Sequence, residues 1–233
     1  MTEHPEITVR AVVGMTRWGK TTDVEEMVAG ERRIVYYDST NDDYRNGVVF
    51  TDFAVFKRFW LKVYRSRFRL IYRPLDPQEH FAEFCALAFE CGNVTVVVDE
   101  ADQFFTAGKC CREFQQIITR AGHAGIQLIV CSQRCKGFGV WLRSQCHQWD
   151  VFQNREPDDV ADLYKRLPGL PAGTIETLPR FHFIRYVDGQ DTYERRQTRL
   201  LASEKVAVQG LHETPGQQPD SGHDADAGGS VGG

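Results

Sequence analysis

The sequence predicts an α/β fold, a mostly parallel central sheet flanked by helices. Three observations carry this. Short apolar, β-branched runs alternate with segments of helical period. One of those runs, "VTVVV" at 94–98, reads as a short, fully buried strand followed at once by two acids. A glycine-framed loop, "GMTRWGKT" at 14–21, stands between a strand-like and a helix-like segment.

The elements follow in order. "ITVRAVV" (7–13) is β-branched and feeds the glycine loop. "KTTDVEEMVA" (20–29) reads as a helix whose early acids suit its positive end. "RIVYY" (33–37) is a second strand. "TDFAVFKRFWLKVYRS" (51–66) sets Phe53, Phe56, Phe59, Trp60, Val63 and Tyr64 at helical spacing. "FRLIYR" (68–73) is a third strand, and "DPQEHFAEFCALAFE" (76–90) a helix after a proline-marked turn. The buried strand at 94–98 runs straight into Asp99 and Glu100. "CREFQQIITRAG" (111–122) is a helix closed by glycine, "IQLIVCS" (126–132) a strand, and two more strands lie at "WDVFQ" (149–153) and "FHFIRYV" (181–187).

Residues 1–200 are read as one domain. Residues 206–233 form an acidic, glycine-rich tail with too little apolar surface to offset ordering, and are expected to be disordered. Residues 201–233 hold five acids and one base out of 32 and 28, so residues 1–200 balance at 27 of each. Net charge therefore gives no vote for nucleic acid, and any such surface must be a local patch. No apolar run reaches the length of a membrane span, and no basic-then-apolar leader opens the chain, which predicts a cytosolic address. The seven cysteines form no CxxC pair and are read as reduced thiols; a metal site at Cys135, Cys146 and His147 has no support from spacing.

The pattern G-x-x-x-x-G-K-[ST] is met in full by Gly14, Gly19, Lys20 and Thr21. The glycines let backbone N–H groups turn inward around phosphate oxygens, and the following helix adds free donors and a positive dipole end. Met15, Thr16, Arg17, Trp18 and Thr22 complete the nucleotide-binding stretch. Lys20 is expected on the β- and γ-phosphates of ATP, and the Thr21 hydroxyl on Mg²⁺. A second metal-side group is Asp99, at the strand end where ligands sit in such sheets, orienting Mg²⁺ through water. Glu100 beside it can polarise a water for attack on the γ-phosphate. Asp102 is read as a solvated helix residue. Gln133 ends the next strand, and on spacing alone is either a loop residue or a γ-phosphate sensor.

With these sites in order, the chain resembles the viral genome-packaging ATPases of the FtsK/HerA superfamily, specifically the small single-domain enzymes of membrane-containing, double-jelly-roll viruses. The resemblance rests on "GMTRWGKTT", "VVVDEADQFF", "ITRAGHAGIQLIVCSQR" and "FQNREPDDVADLYKRLPG", and spans about residues 7–190. It implies a RecA-like P-loop NTPase with an extra strand between the Walker A and Walker B strands. It also implies a ring, expected as a hexamer, with double-stranded DNA through its centre and capsid portal or vertex proteins as possible partners. The setting would be the host cytoplasm or the virion. Gln133 becomes the γ-phosphate sensor, and Arg73, at the end of the strand before Walker B, an arginine finger reaching a neighbour's nucleotide, ahead of Arg120 and His123. The chain departs from the family in lacking a proline after Gln133-Arg134 and in the "MTRW" filling of its loop.

"FKRFWLKVYRSRFR" (56–69) mixes six bases with five aromatic residues. It reads first as an amphipathic helix with a solvated basic face, and alternatively as a DNA contact; "RCKGFGVWLRSQ" (134–145) is the other candidate contact. The competing functions are a small-molecule or nucleoside kinase on the same core, a DNA-mobilisation ATPase of a plasmid or integrated element, and a nucleotide-binding scaffold. Glu100 separates the first of these, since a kinase needs no water activator.

Overall fold

The computed structural model describes residues 8–40, 44–190 and 192–199, all within one compact unit, Met1–Arg199. The tail expected to be disordered lies outside the described residues.

Nine strands form one sheet: β1 (Val9–Val13), β2 (Arg33–Tyr37), β3 (Val48–Phe50), β4 (Phe68–Tyr72), β5 (Thr95–Val98), β6 (Gln127–Ser132), β7 (Gln148–Val151), β8 (His182–Val187) and β9 (Tyr193–Gln197). Their order is β3-β4-β2-β5-β6-β1-β7-β8-β9. From β3 to β7 every pairing is parallel; β8 and β9 close the sheet antiparallel. The extra strand implied by the family resemblance is β6. It is inserted between β1, which feeds the glycine loop, and β5, which ends at Asp99.

Alternate residues of each central strand enter two different cores, which is why their sequences are apolar without alternation. One face buries Val13, Val35, Leu70, Val96 and Leu128 against helices α2 (Phe53–Val63), α3 (Phe81–Cys91), α4 (Arg112–Arg120), α5 (Val140–Gln145) and α6 (Pro157–Arg166). The other buries Val12, Ile34, Ile71 and Ile129 with Val24 and Val28 of α1 (Lys20–Met27) and with Tyr44.

Several expected boundaries move, each for a local reason. Helix α3 starts at Phe81 rather than at Asp76, because the Tyr37 hydroxyl donates to the carbonyls of Pro77 (3.1 Å) and Glu79 (2.5 Å) and His80 takes a left-handed φ of 58°. Helix α2 buries Phe53, Phe56 and Trp60 as its spacing predicts, with Lys57, Arg58, Lys62 and Arg65 exposed. Phe59, assigned to the same inner face, instead lies at the flank against Phe50 of β3, 37% exposed. Strand β7 stops at Val151 because Phe152 and Gln153 turn to meet the glycine loop. Strands β3 and β9 have no counterpart in the sequence reading. β3 has three residues, and β9 is the polar edge "YERRQ".

Behind the glycine loop, α1 is tied to the sheet through charge. The Arg185 guanidinium of β8 forks onto Asp150 of β7, at 2.7 and 2.5 Å, and lies 3.5 Å from Asp23 in the first turn of α1. Both carboxylates are buried. Burial, then the Asp150 charge, push the Asp23 carboxyl well above the usual carboxylate range, while Arg185 pulls the other way. The folded chain therefore holds a proton that the unfolded chain releases near pH 4. Stability should fall as pH rises from about 4 through the raised Asp23 value. Asp23→Asn should remove that loss. Urea-denaturation midpoints at pH 5 and pH 8 should differ less in D23N than in the unaltered chain, and an equal drop in both would refute the assignment.

Candidate functional site

Because the strands from β3 to β7 are parallel, their carboxyl ends share one edge, and all but β3 contribute residues there. The loop after β1 is residues 14–19. Its first glycine has φ of 145° and its last, the N-cap of α1, φ of 109°, conformations that favour glycine. Space is as restrictive as angle. A Cβ on Gly14 would lie 2.6 Å from the Cβ of Phe152, and one on Gly19 would lie 2.9 Å from the Phe181 ring. The loop is held from both sides: the Gly14 N–H donates to the Ser132 carbonyl at 3.2 Å, and the Met15 N–H to the Gln153 carbonyl at 2.9 Å. The Trp18 ring packs on the second core, and the Trp18 carbonyl accepts from the Phe181 N–H. Arg17 also takes a positive φ, 65°, and its carbonyl accepts from the Arg180 side chain at 2.9 Å. Thr16 is exposed, Thr21 half-buried and Thr22 buried. The Lys20 ammonium donates into its own loop, to the carbonyls of Gly14 (2.8 Å) and Met15 (3.2 Å). That keeps the charge at the mouth of the cradle.

Strand β5 delivers the carboxylates. Asp99 is buried, and its Oδ2 accepts from the Thr40 hydroxyl at 2.8 Å. The Ser39 hydroxyl donates to the Asp99 carbonyl at 3.0 Å. Glu100 has a left-handed φ of 42°, which turns the chain out of the strand line at once. Its carboxylate accepts two bonds from Gln133, from the backbone N–H at 3.3 Å and the side-chain amide at 2.8 Å. Glu100 and Gln133, 33 residues apart in sequence, are thus one unit. Asp102 lies in a short 3-10 turn, Ala101–Phe104, half-buried rather than solvated, with its Cβ against Gly137.

Arg73, at the end of β4, is engaged within its own chain. Its Nε donates to the buried Asp38 carboxylate at 2.7 Å, and a second nitrogen to the Tyr44 carbonyl. Arg120 and His123 are exposed, Arg120 in the last turn of α4 and His123 in the turn before β6.

Two groups of site residues escaped the sequence reading. One is "DST" at 38–40, the turn after β2 that meets Asp99; its only signal was a polar triplet ending a strand. The other is Asp159, fully buried in the first turn of α6. It accepts from Arg134 Nε (3.0 Å) and from the Lys136 N–H (2.8 Å), fixing the loop after Gln133. The acids behind Pro157 mark a helix start, but nothing in sequence marks one of them as buried. All seven cysteines are free thiols, and no cluster of His, Cys, Asp and Glu able to hold a metal ion occurs among the described residues. No helix among them is long and apolar enough to cross a membrane.

No family model and no curated protein matches the chain. Solved structures do. The genome packaging NTPase B204 from Sulfolobus turreted icosahedral virus 2, in complex with AMPPCP, matches with a TM-score of 0.66 at 19% identity, over 83% of this chain and 98% of that one. The same NTPase in complex with ATP-gammaS matches at 0.66 and 18%, over 84% and 100%. VirB4 of Thermoanaerobacter pseudethanolicus matches at 0.57 and 9%, over 84% and 90%. At these identities the likeness shows the fold, that of a P-loop NTPase.

The glycine geometry gives a direct test. Gly14→Ala must strain φ and displace Phe152, at a cost of about 1–3 kcal/mol, and should reduce binding of a fluorescent ATP analogue. Gly30→Ala, where a Cβ meets nothing within 4 Å, is the matched control and should leave both stability and binding unchanged.

Proposed function

We propose that the chain is an ATP-hydrolysing DNA translocase that packages a double-stranded viral genome into a preformed capsid, working as a ring of copies. The observation that carries the catalytic part is the Glu100–Gln133 pair at the mouth of a glycine-framed phosphate cradle. A carboxylate there accepts a proton from an attacking water, and the amide that holds it reaches towards the terminal phosphate.

The residue roles follow from that arrangement. Backbone N–H groups of residues 14–19 and the N-terminus of α1 bind the phosphates, and Lys20 turns from its own loop carbonyls onto the β- and γ-oxygens. The Thr21 hydroxyl and Asp99 offer the hard oxygen donors that Mg²⁺ takes, so the residues present fit that ion. When bound it offsets charge on the phosphates. Asp99 is aimed by Thr40, and Glu100 is held by Gln133 until a water and a triphosphate are both in place.

DNA and a ring of copies are the partners this reading needs, with portal or vertex proteins of the capsid as further candidates, in a host cytoplasm or a virion. Arg73 serves as a finger towards a neighbour only if its bond to Asp38 breaks. A P-loop kinase is the weaker alternative, because it has no use for a water-activating carboxylate. A DNA-mobilisation ATPase would use the same motor on a different cargo.

Steady-state ATP hydrolysis with and without long double-stranded DNA tests the proposal. Turnover should rise with DNA and be lost in Lys20→Ala and in Glu100→Gln, by a factor of about 100 or more for the latter, while E100Q still binds ATP. Phosphoryl transfer to an added nucleoside would refute it in favour of the kinase.

A further inference from the structure

We infer that Arg155 is a phosphate-contacting residue of its own subunit's nucleotide site, one that distinguishes nucleoside triphosphate from diphosphate. The inference rests on the ATP-site reading above and adds a residue that neither the motifs nor the comparisons assign.

A cavity of about 330 Å³ opens beside the glycine loop, lined by Met15, Thr16, Gln133, Asn154 and Arg155 among others. Its walls are the loop after β1, the end of β6, the turn after β7 and the start of α6, whose Glu156 and Asp159 line it too, with Arg134 set against both. The first three are the loop that cradles phosphate, the amide that pairs with Glu100, and a segment with no assigned role.

That segment is held firmly. The Gln153 carbonyl accepts from the Met15 N–H at 2.9 Å, and the Gln153 side chain donates to the Glu176 carbonyl at 2.7 Å. Buried Asn154 donates to the Gln133 carbonyl at 3.3 Å and accepts from the Glu156 N–H at 3.0 Å. The turn thus bonds to both the phosphate loop and the sensor residue, and Arg155 stands on the rim between them.

Charge bookkeeping selects Arg155 from the arginines nearby. Arg134, which also lines the cavity, donates to buried Asp159 and lies 3.9 Å from Glu156. Arg73 is bonded to Asp38. It also ends β4, four places from β1 in the sheet, roughly 19 Å away at ordinary strand spacing. Arg155 is exposed and makes no ion pair among the described residues, and it follows β7, the immediate neighbour of β1. An unpaired, always-charged fork beside Thr16 and Gln133 fits the oxygens of a terminal phosphate.

The test compares two nucleotides. With Mg²⁺ present, dissociation constants for ATP-gammaS and ADP are measured by competition with a fluorescent analogue, for the unaltered chain, Arg155→Ala and Arg155→Lys. R155A should weaken ATP-gammaS by about tenfold or more and leave ADP within about twofold; R155K should fall between. Equal weakening of both nucleotides, or of neither, overturns the inference. If the unaltered chain binds neither nucleotide, it is the ATP-site reading that has failed. A mixing experiment checks the subunit. R155A mixed with Lys20→Ala should show no more turnover than the two separately, and restored turnover would mean that Arg155 acts on a neighbour, overturning the assignment to its own site.

Discussion

The site depends on one constraint, the seating of β6 between β1 and β5 with parallel hydrogen bonds to both. The registers Val13 with Ser132 and Val98 with Val130 fix how far each strand end projects. β6 runs two residues past the partner of Val98, which carries Gln133 to the Glu100 carboxylate and leaves the Ser132 carbonyl to receive the Gly14 N–H. A slip of one residue would turn every β6 side chain to the opposite core. The two cores forbid that, because Leu128 and Val130 enter one while Ile129 and Cys131 enter the other. Packing of apolar side chains on the two faces of one strand therefore sets the geometry of the polar edge.

The cradle is not self-supporting. Its glycines are required by what lies behind them, Phe152 after β7 and Phe181 before β8. Both come from the far end of the described chain, so the first loop is packed by segments that β7 and β8 carry. The Asp23–Arg185–Asp150 cluster makes the same join below the loop, between α1 and the same two strands. A buried polar cluster in that place fixes a relative position that a purely apolar contact would leave free to slide, at the cost of burying the Arg185–Asp150 ion pair and the Asp23 carboxyl.

Much of this was legible in sequence for identifiable reasons. The strands of the parallel core announced themselves because burial on both faces leaves apolar runs that no exposed element would carry. The glycine loop was legible because backbone angle and close packing leave its two glycines little choice, and their spacing matches a known phosphate-binding pattern. Asp99 and Glu100 stood out as charges directly after such a run. What sequence could not reveal depends on partners distant in the chain. Asp159 and Asp38 look like surface acids until Arg134 and Arg73 are seen against them. Phe59 has the spacing of a core residue, yet β3, too short to recognise, draws it to the flank. The bond from Glu100 to Gln133 crosses from one strand end to the next, and only the strand order reveals it.

The arginines at this edge show how the fold divides its charges. Arg73, Arg134 and Arg185 each meet a carboxylate that the fold has buried, Asp38, Asp159 and Asp150. Releasing any of them takes a cationic partner from a buried carboxylate and leaves it only neutral donors, which is more costly than losing an exposed pair. They therefore act as fasteners: Arg73 joins β4 to the turn after β2, Arg134 joins the loop after β6 to α6, and Arg185 joins β8 to β7 and α1. A fastened guanidinium cannot turn to a ligand at this edge without loosening the strand ends it holds. On the proposed ATP-site reading, a response to nucleotide state falls to charges whose present partners are given up cheaply. Lys20 is such a charge, because its present acceptors are neutral loop carbonyls that a phosphate outcompetes on charge alone.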